Sequence, residues 1–198
     1  EDGNEAAAVS LALMTYWGSG GIQPDPLQAV SMLDEASSAG SQQATRQLVG
    51  LYRDAPGKRL PRSLDKAREL LESRKGQLTP PQLARERILN AAAGANDPNE
   101  FKMIREMVSS APLAVHLDVL ATLSRANPNA FVYVAQDALK RRDLYDGELN
   151  GLLTSSTIRA INQLCSASVA GNRCKRGPLD MDAVRVIVSL IEPSRAAQ

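Results

Sequence analysis

Histidine is almost missing from this sequence: 198 residues hold one, His116, beside two cysteines and an aromatic content of 4%. A Ser-His-Asp or Cys-His arrangement would have to use His116. It lies in a helical-looking stretch, and Asp118, two positions on, falls on a different helical face. One histidine and two cysteines nine positions apart make a poor zinc set. Gly18, Gly20 and Gly21 are followed by no Gly-Lys-Ser/Thr, so nothing cradles a phosphate. Charge is equally scarce: 23 basic against 22 acidic residues leave +1, too little to steer the chain toward nucleic acid. No apolar run approaches the ~20 residues that span a bilayer. Residues 1–5, Glu-Asp-Gly-Asn-Glu, have neither the basic start nor the apolar centre of a signal peptide, so the sequence reads as a trimmed fragment of a larger protein. A non-enzymatic chain without metal or cofactor is the expectation.

What is present is a rhythm. Ala8 precedes Tyr16 by eight positions and Ala44 precedes Tyr52 by eight, with the tyrosines 36 apart. After each tyrosine comes a turn rich in glycine or proline, then a second helical segment beginning near Asp25-Pro26 or Ser63-Leu64. Two helices per 36–38 residues is the period of an α-solenoid. Ala29, Ala36, Gly40 and Ala44 recur at spacings of 7, 4 and 4, which lets helix backbones approach closely. Pro26 suits a first helical turn, and Gly40 suits the position just past a helix end.

These residues resemble a Sel1-like repeat, the two-helix unit related to TPR. The resemblance runs through Tyr16, Gly18, Gly20, Ile22, Asp25 and Ala29, then Ala36, Gly40, Ala44, Leu48 and Tyr52, within residues 6–73. It departs at Val49, where the family usually has glycine, and in the turn Asp54–Pro61. Such a repeat array implies a protein partner. Trp17, Tyr16 and Tyr52 are the aromatic candidates for anchoring it, with core packing the alternative for Tyr16 and Tyr52 and exposure expected of Trp17.

From Thr79 to Asn127 the chain remains helical. Thr79-Pro80 and Asp97-Pro98 mark helix starts, Ala111-Pro112 closes one helix and starts the next, and Asn127-Pro128-Asn129 breaks the pattern again. Phe101, Ile104, Met107 and Val108 give one apolar stripe; Leu113, Leu117, Leu120 and Leu123 give the next. Degenerate hairpins continuing the solenoid are expected here.

The C-terminal third carries Gln136 and Leu139 on a helix, then Tyr145, Gly147, Leu149, Asn150 and Gly151 in a turn, then Thr157, Ala160 and Ile161. With the later run Gly177-Pro-Leu-Asp180, this is similar to the peptidoglycan-binding-like domain, a small three-helix module. The resemblance implies either a structural docking module or a glycan site at Tyr145, Asp146, Asn150, Thr154 and Ser155, with Arg142 beside it. The scarcity of aromatics there leaves few platforms for sugar rings. Cys165 and Cys174 bracket an eight-residue loop containing glycine and asparagine and are expected to form a disulfide, which requires an oxidising compartment. The alternative is an inward-packed Cys165 and a free Cys174 thiol. From residue 130 onward nine Lys and Arg face seven Asp and Glu; Lys140-Arg141-Arg142 and Arg173, Lys175 and Arg176 cluster, as for an anionic polysaccharide or simply a solvated surface.

The expected protein is therefore all-α: Sel1-like repeats over 1–75, degenerate hairpins over 76–128, a peptidoglycan-binding-like domain over 129–192 and a tail over 193–198. Together the two resemblances are similar to periplasmic regions of bacterial polarity or polysaccharide-secretion scaffolds. They imply a periplasmic location and an envelope protein partner. A peptidoglycan- or exopolysaccharide-binding protein of a secretion system is the alternative.

Overall fold

A computed structural model describes residues 2–55, 60–167, 174 and 176–191. Residues 1, 56–59 in the divergent stretch, 168–173 between the cysteines, 175, and 192–198, which include the expected tail 193–198, lie outside the described residues. Among those described, the chain is all-α: α1 Asp2–Trp17, α2 Pro26–Ser38, α3 Gln42–Asp54, α4 Leu64–Ser73, α5 Pro80–Gly94, α6 Pro98–Ser110, α7 His116–Ala126, α8 Pro128–Lys140, α9 Ser155–Ala167 and α10 Met181–Ile191. It divides into two compact units at Asn90/Ala91, inside α5.

In the first unit each helix packs chiefly against the next: α1 on α2, α2 on α3, α3 on α4. Every one of these helices contributes a fully buried alanine, namely Ala12, Ala29, Ala44 and Ala67. With Cβ as the largest side-chain group at those points, neighbouring backbones come close while Leu33, Leu48 and Leu71 fill the space beside them. The turns match their chemistry. Asp25 accepts a hydrogen bond from the Gln28 amide at 3.0 Å and Pro26 takes the first helical turn. Gly40, at φ 101°, ends α2, and the next amide, Ser41, donates back to Ala36 at 3.1 Å.

The second unit is organised differently. Helices α6, α7, α9 and α10 all touch α8, and α10 also packs on α7. Nine of the thirteen residues of α8 are buried, from Ala130 through Leu139, so this helix is enclosed rather than amphipathic. Its cap, Asn127, accepts from the Ala130 amide and donates from Nδ2 to Ala92 at 2.8 Å and Ala95 at 3.0 Å, fastening it to the end of α5. The helix start expected at Asp97 is closed by a full capping box, with Glu100 answering.

One expected stripe is corrected. Leu113 and Leu117 are exposed, while Val115, His116, Val119, Leu120 and Leu123 are buried. A short 3-10 turn occupies Leu113–Val115 and takes Leu113 out of α7, which starts at His116, while Leu117, inside α7, lies at the edge of the face that buries Val119, Leu120 and Leu123. His116 is itself buried, with Nε2 3.2 Å from the Ala111 carbonyl oxygen. No helix among the described residues is long and apolar enough to cross a membrane.

Candidate functional site

The predicted aromatic anchors part company in space. Tyr16 is 5% exposed and belongs to the core with Val9, Leu33 and Leu48; burial pushes its hydroxyl pKa above the ordinary value. Tyr52 is half-buried, lies under the Lys66 ammonium at 5.4 Å, and lines a hollow with Leu27, Val30 and Leu70. Trp17 alone is well exposed, at 61%, its ring set edge-on to Tyr16 at 4.8 Å. It stands on the rim of a groove of about 590 Å³ whose floor and walls come from α3 and α5.

A charged cluster forms one wall of that groove. Glu86, on α5, is 1% exposed, and three arginines reach its carboxylate. Arg53 Nη1 donates to Oε2 at 2.8 Å, Arg85 Nη1 to Oε1 at 2.6 Å, and Arg46 Nε to Oε1 at 3.3 Å. Arg53 also forks onto Asp54, Nε to Oδ1 at 3.0 Å and Nη2 to Oδ2 at 2.8 Å. Burial works against its charge, but the hydrogen bonds to Asp54 and Glu86 outweigh it and hold its pKa above the ordinary value. A buried carboxylate without such partners would be expelled or protonated.

The floor is α3, which presents Gln43, Gln47 and Gly50 to the opening. Gly50 sits inside a helix without positive φ, and a Cβ there would meet only Arg53 Nη2 at an ordinary 3.6 Å. Packing therefore does not demand glycine at this place.

In the second unit the residues of the peptidoglycan-binding-like resemblance converge, but inward. Gln136 is fully buried. Its Oε1 accepts from the Asn150 amide at 3.1 Å and the Gly151 amide at 3.0 Å. Its Nε2 lies within 3.1–3.4 Å of Leu152 O, Thr157 Oγ1, Asn150 Oδ1 and Tyr145 Oη. Tyr145, 7% exposed, donates to the Glu148 carbonyl at 3.0 Å, and Thr154 accepts from the Thr157 amide at the start of α9. Thus Tyr145, Asn150 and Thr154 brace the 141–154 loop from within, while Asp146, Ser155 and Arg142 are exposed on its outside.

The turn glycines differ in purpose. Gly151 has φ 74°, and a Cβ would lie 2.7 Å from the Asn129 carbonyl oxygen. Gly147 is not in the left-handed region; the Tyr145 ring covers it so closely that a Cβ would stand 2.4 Å from the hydroxyl. Asp143, at φ 56°, takes the left-handed turn after α8. Cys165 and Cys174 form a disulfide with Cα atoms 6.1 Å apart, as expected from their spacing.

Sequence reasoning missed the Arg46–Arg53–Arg85–Glu86 cluster because its members come from helices more than 30 positions apart and leave no local pattern. Gly50 did leave one, a glycine inside a helical stretch. Compared with protein-family models, curated proteins and solved structures, the chain gives no significant match.

Proposed function

We propose that this chain is a non-enzymatic periplasmic scaffold whose first unit holds a protein partner and whose second unit serves as a wall-type docking module. In this reading the first unit is a short α-solenoid of Sel1-like repeats, supported by neighbour-on-neighbour helix packing and by the buried alanines. Residues 129–192 are a peptidoglycan-binding-like module, supported by the way Gln136, Tyr145, Gly147, Asn150, Gly151 and Thr157 depend on one another. The disulfide fits an oxidising compartment. The observation that carries the reading is Trp17: a large indole 61% exposed on a groove is an expensive thing to leave in water unless something covers it.

A photo-crosslinking residue placed at the exposed Gln43, on the same groove as Trp17, should capture one discrete protein from living cells, whereas the same residue at the exposed Lys102 should not. Identical adducts from both positions, or none, would remove the reading. Trp17→Ala should abolish that capture and change stability by less than about 0.5 kcal/mol, checked by denaturant unfolding. A large loss of stability would return Trp17 to the core.

Wall contact is the second reading, favoured by the exposed Asp146, Ser155 and Arg142 on the outside of the 141–154 loop. Peptidoglycan or an anionic polysaccharide would be the ligand. Sedimentation of the chain with purified sacculi, weakened by Arg142→Ala, is its expected signature; a chain left wholly in the supernatant rules it out.

A further inference from the structure

We infer that the groove beside Trp17 takes an extended, acidic protein segment, with a carboxylate on Arg46 and an apolar side chain against the indole. This rests on the partner-binding reading of the groove and adds the chemistry of the partner.

Arg46 carries the inference. Its Nε touches Glu86 at 3.3 Å, and its side chain is 35% exposed. Among the described residues its two Nη groups make no hydrogen bond or ion pair. The groove's own carboxylates are committed elsewhere. Glu86 is 2% exposed at the side chain and shared among three arginines, and Asp54 is forked onto Arg53. A guanidinium with one edge held and the other edge open is a receptor for a planar carboxylate arriving from outside. Its fixed edge keeps it from following the ligand, so little orientation entropy is lost on binding.

Three neighbours fit the same occupant. Gln43 and Gln47 bring side-chain amides to the floor with no hydrogen bond among the described residues, and an extended backbone offers both the donors and the acceptors they need. Gly50 keeps the floor clear at a cost in helix stability that packing does not require. Trp17 supplies the apolar end. A basic segment would meet Arg46 and Arg85 at the wall and be repelled.

The test uses the full chain and a displayed library of random twelve-residue peptides as the probe. Enriched peptides should carry Asp or Glu near an aromatic or branched aliphatic residue. Arg46→Gln should weaken the best of them by about tenfold or more in fluorescence anisotropy, the size of one charge-assisted contact. Gly50→Leu, which fills the floor, should abolish binding. Melting temperatures of both variants are measured alongside, and Gln47→Phe replaces Gly50→Leu if the latter does not melt like the parent. Peptides that are lost with the filled floor yet indifferent to Arg46→Gln would overturn the acidic assignment and leave the groove as a partner site. Peptides indifferent to every variant, or no enrichment at all, would overturn both.

Discussion

The polar clusters around Glu86 in the first unit and Gln136 in the second are built on opposite terms. In the second unit Gln136 is neutral, sealed from water and surrounded by partners that all belong to one loop and the helix after it. In the first unit Glu86 and Arg53 are charged and join α3 to α5, and the cluster remains open to solvent through Arg46 and Asp54. A neutral node can be closed completely because every donor and acceptor finds a match without carrying net charge into the interior. A charged node is cheaper to keep at the edge of a cavity, where water shares the cost of desolvation. Polar side chains in the second unit are thus spent on holding a loop, whereas those in the first remain partly available to a ligand.

The contrast can be broken most severely at Gln136. Gln136→Leu preserves the volume approximately but strands the Asn150 and Gly151 amides, and should cost about 3–5 kcal/mol. Hydrogen exchange should quicken over 141–161 and leave α2 and α3 unaffected; a loss below about 1 kcal/mol would mean the loop stands without its node. Glu86→Gln is the counterpart in the first unit, removing one charge from a buried pair, with an expected cost of about 3 kcal/mol. If denaturant unfolding registers no change, Asp54 alone suffices for Arg53 and the cluster is not a structural element.

Smaller effects separate the units further. The first unit contains no cysteine, so reduction should act on the second unit alone. Opening the Cys165–Cys174 loop should lower its stability by about 2–3 kcal/mol in the chain-entropy view. Equal responses in α3 and α9 by hydrogen exchange would contradict that confinement. Gly50→Ala is the mildest change and the only one expected to help, raising stability by about 0.5–1 kcal/mol because its Cβ meets ordinary contact and the helix gains rigidity. A destabilised Gly50→Ala would show that the glycine serves the fold and not the groove.

Much of the local structure was legible because caps and turns are short-range devices. Asp25-Pro26 and Asp97-Pro98 start helices where their side chains reach amides two or three positions on, whereas Asn127-Pro128, legible only as a break, caps α8 in the same way. The Leu113–Leu123 stripe failed at its first two members, Leu113 because a 3-10 turn takes it out of α7 and Leu117 because it lies at the edge of that helix's buried face. At the candidate site Trp17 was visible from its place beside a glycine turn, but the arginines around Glu86 were not, since each looks like an ordinary charge on a solvated helix face.

By itself, then, the chain's order of residues determined that helices form, where most of them begin and end, and which two cysteines lie close enough to join, because those outcomes depend on neighbours within about a dozen positions. Tertiary structure alone decided that α8 is wrapped on all sides, that Tyr145 and Asn150 turn inward to Gln136, and that Arg46 meets Glu86 across 40 positions beside an exposed Trp17. Burial and electrostatic pairing are properties of the space between helices, and that space exists only once they have packed.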